Sequence, residues 1–241
     1  MIHLRSAALS DIGRVRRENE DRALHDPAAG LYGVADGIGG LPGGAEASHL
    51  AAEEVAAGIR AAADAAAIDL TALAHLANHR VRQLGAQLSP AFGIGTTLTF
   101  GLVRDTTLRL AHVGDSRCYA WRAGEFGALT EDHSVENEAR LRRARGEAVY
   151  YSDANRNALT RCIGQTNPPA VDLIERPLLA GDRYLFCTDG IFRVVRDPEL
   201  AAFLSQGVEP ADVLHEIVTL ALRRGGPDNA TGVVLFVDSI D

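Results

Sequence analysis

Lysine is absent from the 241-residue chain, in which all 24 basic residues are arginine. That absence excludes whole chemistries. A phosphate-binding P-loop needs its Lys on the β/γ-phosphates, a protein kinase needs its strand-borne Lys, and imine chemistry needs a Lys amine. Cysteine is scarce as well. Cys118, Cys162 and Cys187 are far apart and form no CxxC, which offers no thiolate zinc site and suits a reducing compartment. Each sits in an apolar stretch, so each is expected to be a buried structural thiol. No apolar run approaches the ~20 residues of a membrane span, and the opening segment has no signal-peptide core. A soluble, cytoplasmic protein is expected. Positive charge is also in deficit: 32 acidic residues give a net charge of −8, which argues against a nucleic-acid footprint.

The remaining composition, 46% hydrophobic and 23% charged, is ordinary for a globular protein. No linker or internal repeat appears, and a single domain over residues 1–241 is expected. Short apolar segments at 31–35, 96–103, 108–113, 117–121, 184–187 and 232–237 read as strands. Residues 45–67, 71–88 and 210–224 read as helices, the first from its alanine content and the last from its dipole-matched ends. The helices cluster instead of alternating with strands, which predicts α+β layers over a doubly wound sheet. Residues 131–161 are polar and carry Arg140, Arg142, Arg143 and Arg145. Such an insertion is either a lid or binding loop or a solvated surface helix.

One design recurs. Asp36 follows Leu31-Tyr-Gly-Val-Ala, Asp115 follows a strand ending Val-Gly, Asp189 follows Cys187-Thr, and Asp228 precedes the last strand. Small or turn-forming residues flank each one. Carboxylates grouped without cations repel unless divalent metals neutralise them. An all-oxygen donor set points to magnesium or manganese over zinc, and two such ions make a nucleophile from water at neutral pH. Metal-assisted hydrolysis follows. Arg16-Arg-Glu-Asn-Glu-Asp21 adds a guanidinium next to Glu20 and Asp21, and its fork suits a phosphate.

Rival motifs fail. Residues 37–42 put Pro42 where a dinucleotide loop needs its third Gly. Residues 114–118 lack the final Gly of a nucleophile elbow. His75 and His79 share a helix, but no Glu follows the first, so both are expected to be surface residues.

Eight stretches in order complete the pattern: residues 11–21, Val34-Ala-Asp-Gly-Ile-Gly-Gly40, Gly95-Thr-Thr97, His112-Val-Gly-Asp-Ser-Arg117, Leu129-Thr-Glu-Asp-His-Ser134, Leu159-Thr-Arg-Cys-Ile-Gly164, Cys187-Thr-Asp-Gly190 and Asp228-Asn-Ala-Thr231. In these the chain resembles the metal-dependent serine/threonine phosphatases of the PPM family, the type 2C phosphatases. The resemblance implies a four-layer α/β/β/α sandwich of two central antiparallel sheets flanked by helix pairs. It implies Asp36, Asp189, Asp228 and the Gly37 carbonyl as ligands of two central Mn or Mg ions, with Glu20 acting through water. Asp115, with Asp189, matches a third metal site. Arg16 would hold the phosphate during in-line attack by metal-bound hydroxide, and Asp21 and Asn229 would support the site. Residues 131–161 match the flap, where Arg142 and Arg145 are candidate substrate contacts.

The sequence departs from the pattern at Ile38, where eukaryotic relatives often carry a His proposed as general acid. The resemblance implies a monomeric phosphoprotein phosphatase opposing a Ser/Thr kinase, with a likeness to stand-alone forms from type VI secretion loci. A phosphoprotein-binding module without turnover, or a small-molecule phosphohydrolase, are the alternatives. No nucleic acid or membrane partner is expected.

Overall fold

The computed structural model describes residues 2–39, 43–62 and 68–240. Two five-stranded antiparallel sheets lie face to face. One has the order β1 (Ile2–Asp11), β10 (Ala230–Ile240), β9 (Arg183–Cys187), β6 (Arg117–Arg122), β7 (Glu125–Ala128). The other runs β2 (Asp21–Asp26), β3 (Leu31–Asp36), β4 (Leu98–Arg104), β5 (Thr107–Val113), β8 (Asp172–Pro177). Helices α1 (Gly44–Ala61) and α2 (Leu70–Leu88) cover the second sheet, and α5 (Asp197–Leu204) and α6 (Pro210–Arg223) cover the first. In chain order α3 (Val135–Ala144) and the short α4 (Asp189–Phe192) come between α2 and α5. The expected four-layer sandwich is present.

The central strands are apolar on both faces because both faces are covered. In β10, Val233, Leu235 and Val237 enter the core between the sheets, whereas Val234 and Phe236 pack under α6. Tyr32 and Val34 of β3 face inward, and Leu31 and Ala35 face α1 and α2. α2 starts where the Asp69 carboxylate accepts from the backbone N–H groups of Thr71 and Ala72 at 2.8 and 3.1 Å, a side-chain N-cap.

Several expectations need adjustment. α1 stops at Ala61, with Ala62 already extended, and residues 63–67 of the expected helix lie outside the described residues. Strands β1, β2, β7 and β8 and helices α4 and α5 were not foreseen. β7 and β8 are edge strands whose exposed polar faces carry little hydrophobic signal. Cys118 and Cys187 are buried, but Cys162 is only half-buried. His79 is exposed, whereas the half-buried His75 hydrogen-bonds the Pro169 carbonyl at 3.0 Å. Among the described residues no helix is long and apolar enough to cross a membrane.

Candidate active site

The four strand-end aspartates line one open cleft of about 430 Å³ together with Arg16, Gly37, Ile38 and Thr97. Asp36 ends β3, where the chain is gripped by β4. Its N–H donates to the Thr97 hydroxyl at 2.9 Å, and its carbonyl accepts from the Thr97 N–H and the Thr96 hydroxyl, each at 2.8 Å. The next residue must be glycine, because a Cβ at Gly37 would lie 2.4 Å from the Gly44 carbonyl oxygen. Asp115 follows Gly114, which has φ 113° and is held from both sides by His133. The Gly114 N–H donates to His133 Nδ1 at 3.1 Å, and its carbonyl accepts the His133 N–H at 2.8 Å. Asp189 opens α4 directly after β9, and Asp228 closes the turn before β10.

One side chain ties residues 12–20 to the cleft at three points. The Asn229 amide donates to the carbonyls of Ile12 and Glu18 at 2.8 and 3.0 Å, and its oxygen accepts the Glu20 N–H at 2.9 Å. This clamp carries Arg16 to Asp228, Nη2 to Oδ2 at 2.7 Å, with Nη1 3.7 Å from Glu20 Oε2. Asp21 points inward, is 2% exposed, and accepts the Thr188 hydroxyl at 2.8 Å.

Charge is badly balanced here. Burial pushes the Asp36 carboxyl well above the usual range, and Asp21, Asp189, Asp115 and Asp228 add like-charge repulsion. Burial likewise raises Asp115 to about 6 and Asp21 to about 7, and pushes Asp189 and Glu20 up. Arg193 partly opposes this. Its Nε lies 2.7 Å from Asp189 Oδ2 and its Nη2 3.2 Å from Asp115 Oδ2. Among the described residues no ion pair reaches the Asp36 carboxylate.

The donors are all oxygens and the local charge is strongly negative, so the site fits hard divalent cations in composition and position. Among the described residues no three such side chains are already drawn together as a ligand set. Asp228 is turned onto Arg16, and Asp189 and Asp115 onto Arg193.

The structure thus brings Arg16, Glu20, Asp36, Gly37, Asp115, Asp189 and Asp228 together, with Asp21 and Asn229 beneath and beside them. It does not bring in Arg142 or Arg145. Both pair with Glu147, at 2.6 and 3.4 Å, and the flap lines the cleft through Asn157 and Leu159 instead. The flap combines both readings of residues 131–161: α3 buries only Ala139, and irregular chain follows it. The sequence reading missed Arg193, whose signal was its position four residues after Asp189 at the end of a helical turn. Gly40, part of the second motif, lies outside the described residues.

Residues 10–230 match the family model for protein phosphatase 2C. The chain is 36% identical to the serine/threonine protein phosphatase PstP of Mycobacterium tuberculosis over 252 residues, 99% of this chain and 46% of PstP. It therefore spans about half the length of that relative. Its fold matches the structure described as PppA, a key regulatory component of T6SS in Pseudomonas aeruginosa, with TM-score 0.84, 33% identity and 98% of each chain covered. It also matches the PstP catalytic domain in complex with two manganese ions, with TM-score 0.83, 34% identity, and 99% of this chain and 100% of that one covered.

Proposed function

Because the chain belongs to the protein phosphatase 2C family, we propose that it hydrolyses phosphoserine and phosphothreonine in proteins, as a single-domain, metal-dependent, cytoplasmic enzyme. The observation that carries this reading is the convergence of Asp36, Asp115, Asp189 and Asp228 on one cleft beside Arg16, with no ion pair to Asp36 among the described residues. A site built so negative has no affinity for a phosphate dianion until cations neutralise it.

Asp36, Asp189, Asp228 and the Gly37 carbonyl would hold two Mn or Mg ions, with Glu20 contributing through water. When bound, such ions supply an activated water and neutralise charge on the phosphoryl oxygens. Arg16 orients the phosphate. Its guanidinium has five N–H donors and gives one to Asp228, which leaves part of the fork for phosphoryl oxygens. Asn229 fixes that arginine's segment in place, so its contribution is positional. Ile38 lines the cleft without a titratable group, so the proton for the departing serine or threonine oxygen comes from elsewhere.

The likeness to PppA supports assignment to a type VI secretion setting in which a Ser/Thr kinase supplies the phosphoprotein. The test is manganese-dependent phosphate release from a phosphothreonine peptide, compared with free phosphomonoesters of similar charge. Preference for the peptide supports the proposal. Equal rates favour a small-molecule phosphohydrolase, and tight peptide binding without release favours a binding module.

A further inference from the structure

We propose that Arg193 is a built-in cation that takes the place of a third metal ion between Asp115 and Asp189. The inference deepens the two-ion reading of the cleft and rests on it. The Arg193 guanidinium bridges the two carboxylates with two different nitrogens, Nε to Asp189 Oδ2 at 2.7 Å and Nη2 to Asp115 Oδ2 at 3.2 Å. A cation that ties two carboxylates together is what a third ion would be at this position. Arg193 reaches it from its own turn of chain, with its backbone N–H donating to the Asp189 carbonyl at 3.0 Å, so the pair and its counter-ion are parts of one local unit.

The Asp115 side of the bridge is rigid. Its side chain is only 9% exposed, and the preceding Gly114 is fixed by two hydrogen bonds to His133. An incoming ion at Asp115 must therefore expel the guanidinium and break its charge-assisted hydrogen bond to Asp115. Asp36 presents no such barrier, since among the described residues no guanidinium is paired with it. Arg193 approaches Asp189 through Oδ2, and Oδ1 accepts no hydrogen bond among the described residues. Asp189 can thus serve a central ion through one oxygen while Arg193 occupies the other. Two ions and one guanidinium fill the row that three ions would otherwise fill.

The experiment counts bound Mn(II) by equilibrium dialysis and by the electron paramagnetic resonance signal of the free ion. It uses the whole chain and the variants Arg193→Ala, Arg193→Gln and Arg193→Lys, with folding checked by circular dichroism. Neutral replacements are expected to bind one ion more than the unaltered protein, or to tighten the weakest site about tenfold or more, equivalent to ~1.4 kcal/mol. Arg193→Lys is expected to fall between, because an ammonium has no fork to span both carboxylates. A third ion in the unaltered protein, bound as tightly as in the variants, overturns the assignment. So does an unchanged count in the neutral variants, including the case where their KM for a phosphopeptide rises and marks Arg193 as a phosphate contact. A starting count below two overturns the central-site reading, while the difference between variant and parent still scores Arg193.

Discussion

Asp21 and Asp36 stand directly opposite each other across the β2–β3 ladder, two carboxylates in register. Like charges in facing positions destabilise a strand pair, and burial compounds the cost. Asp36→Asn is therefore expected to raise the melting temperature of the metal-free protein while abolishing turnover at any manganese concentration. Scanning calorimetry in chelator and a phosphopeptide assay decide it. A lower metal-free melting temperature, or retained turnover, contradicts the electrostatic account.

Thr188 gives Asp21 its hydrogen bond and accepts the Thr231 N–H at 3.1 Å, so one hydroxyl joins β2 to the other sheet. Thr188→Val keeps the shape and strands both partners. A loss of about 1–3 kcal/mol is expected for buried polar groups left unpaired. Urea unfolding measures it, and Thr188→Ser should recover most of the loss.

Arg16→Ala is expected to weaken substrate use by about 1.5–3 kcal/mol, the worth of hydrogen bonds to a charged group, mostly as a higher KM. Arg16→Lys restores only part, since it lacks the planar fork. Unchanged kinetics in both variants would reduce Arg16 to a partner of Asp228.

Replacing Arg142 and Arg145 by Gln tests the flap. Both lean on Glu147, which neutralises much of the charge they would project. The expected effect is a loss of about two- to threefold in kcat/KM for a phosphoprotein at low salt, vanishing at high salt, with little change on an aryl phosphate. An equal loss on both substrates would indicate instead that the arginines support the fold.

The pH dependence of stability is expected to show the pairing of the buried Asp182 with the half-buried Arg122. Burial alone would raise the Asp182 carboxyl. The Arg122 fork at 2.6 Å to each oxygen, with the Leu179 N–H and the Tyr184 hydroxyl, holds it below the usual range instead. A carboxylate depressed in the folded state stabilises above its unfolded value, 3.8, and loses that contribution as pH falls further. The stability gap between parent and Asp182→Asn should hold from about pH 7 to pH 5 and narrow below about pH 4. A gap that widens on acidification would refute the assignment.

The aspartates were legible in the sequence because each follows or precedes a buried apolar strand, and the turn residues beside them are dictated by close backbone contacts. Gly190 shows why: a Cβ there would lie 1.8 Å from the Asn229 carbonyl oxygen. The central strands were legible for the same reason, since burial on both faces makes them uniformly apolar. β1 and β2 were not, because half-exposed strands such as Asp21–Asp26 mix charge with apolar residues and imitate a surface turn. The sequence offered only the four-residue spacing of Arg193 from Asp189; its bridging role depends on Asp115, 78 positions away, which the sheet pairing brings near. The flap arginines illustrate the converse. Arg142 and Arg145 stood out in the sequence as candidate substrate contacts, but the partner both meet is Glu147.

The Asn229 clamp has a consequence for the order of folding. Its amide joins the segment between β1 and β2 to a residue 209 to 217 positions away, beside the start of β10. Contacts of such separation carry a large loop-closure cost and are made late relative to local helices and hairpins. The segment bearing Arg16 and Glu20 therefore reaches its final place only once β1 and β10 have paired.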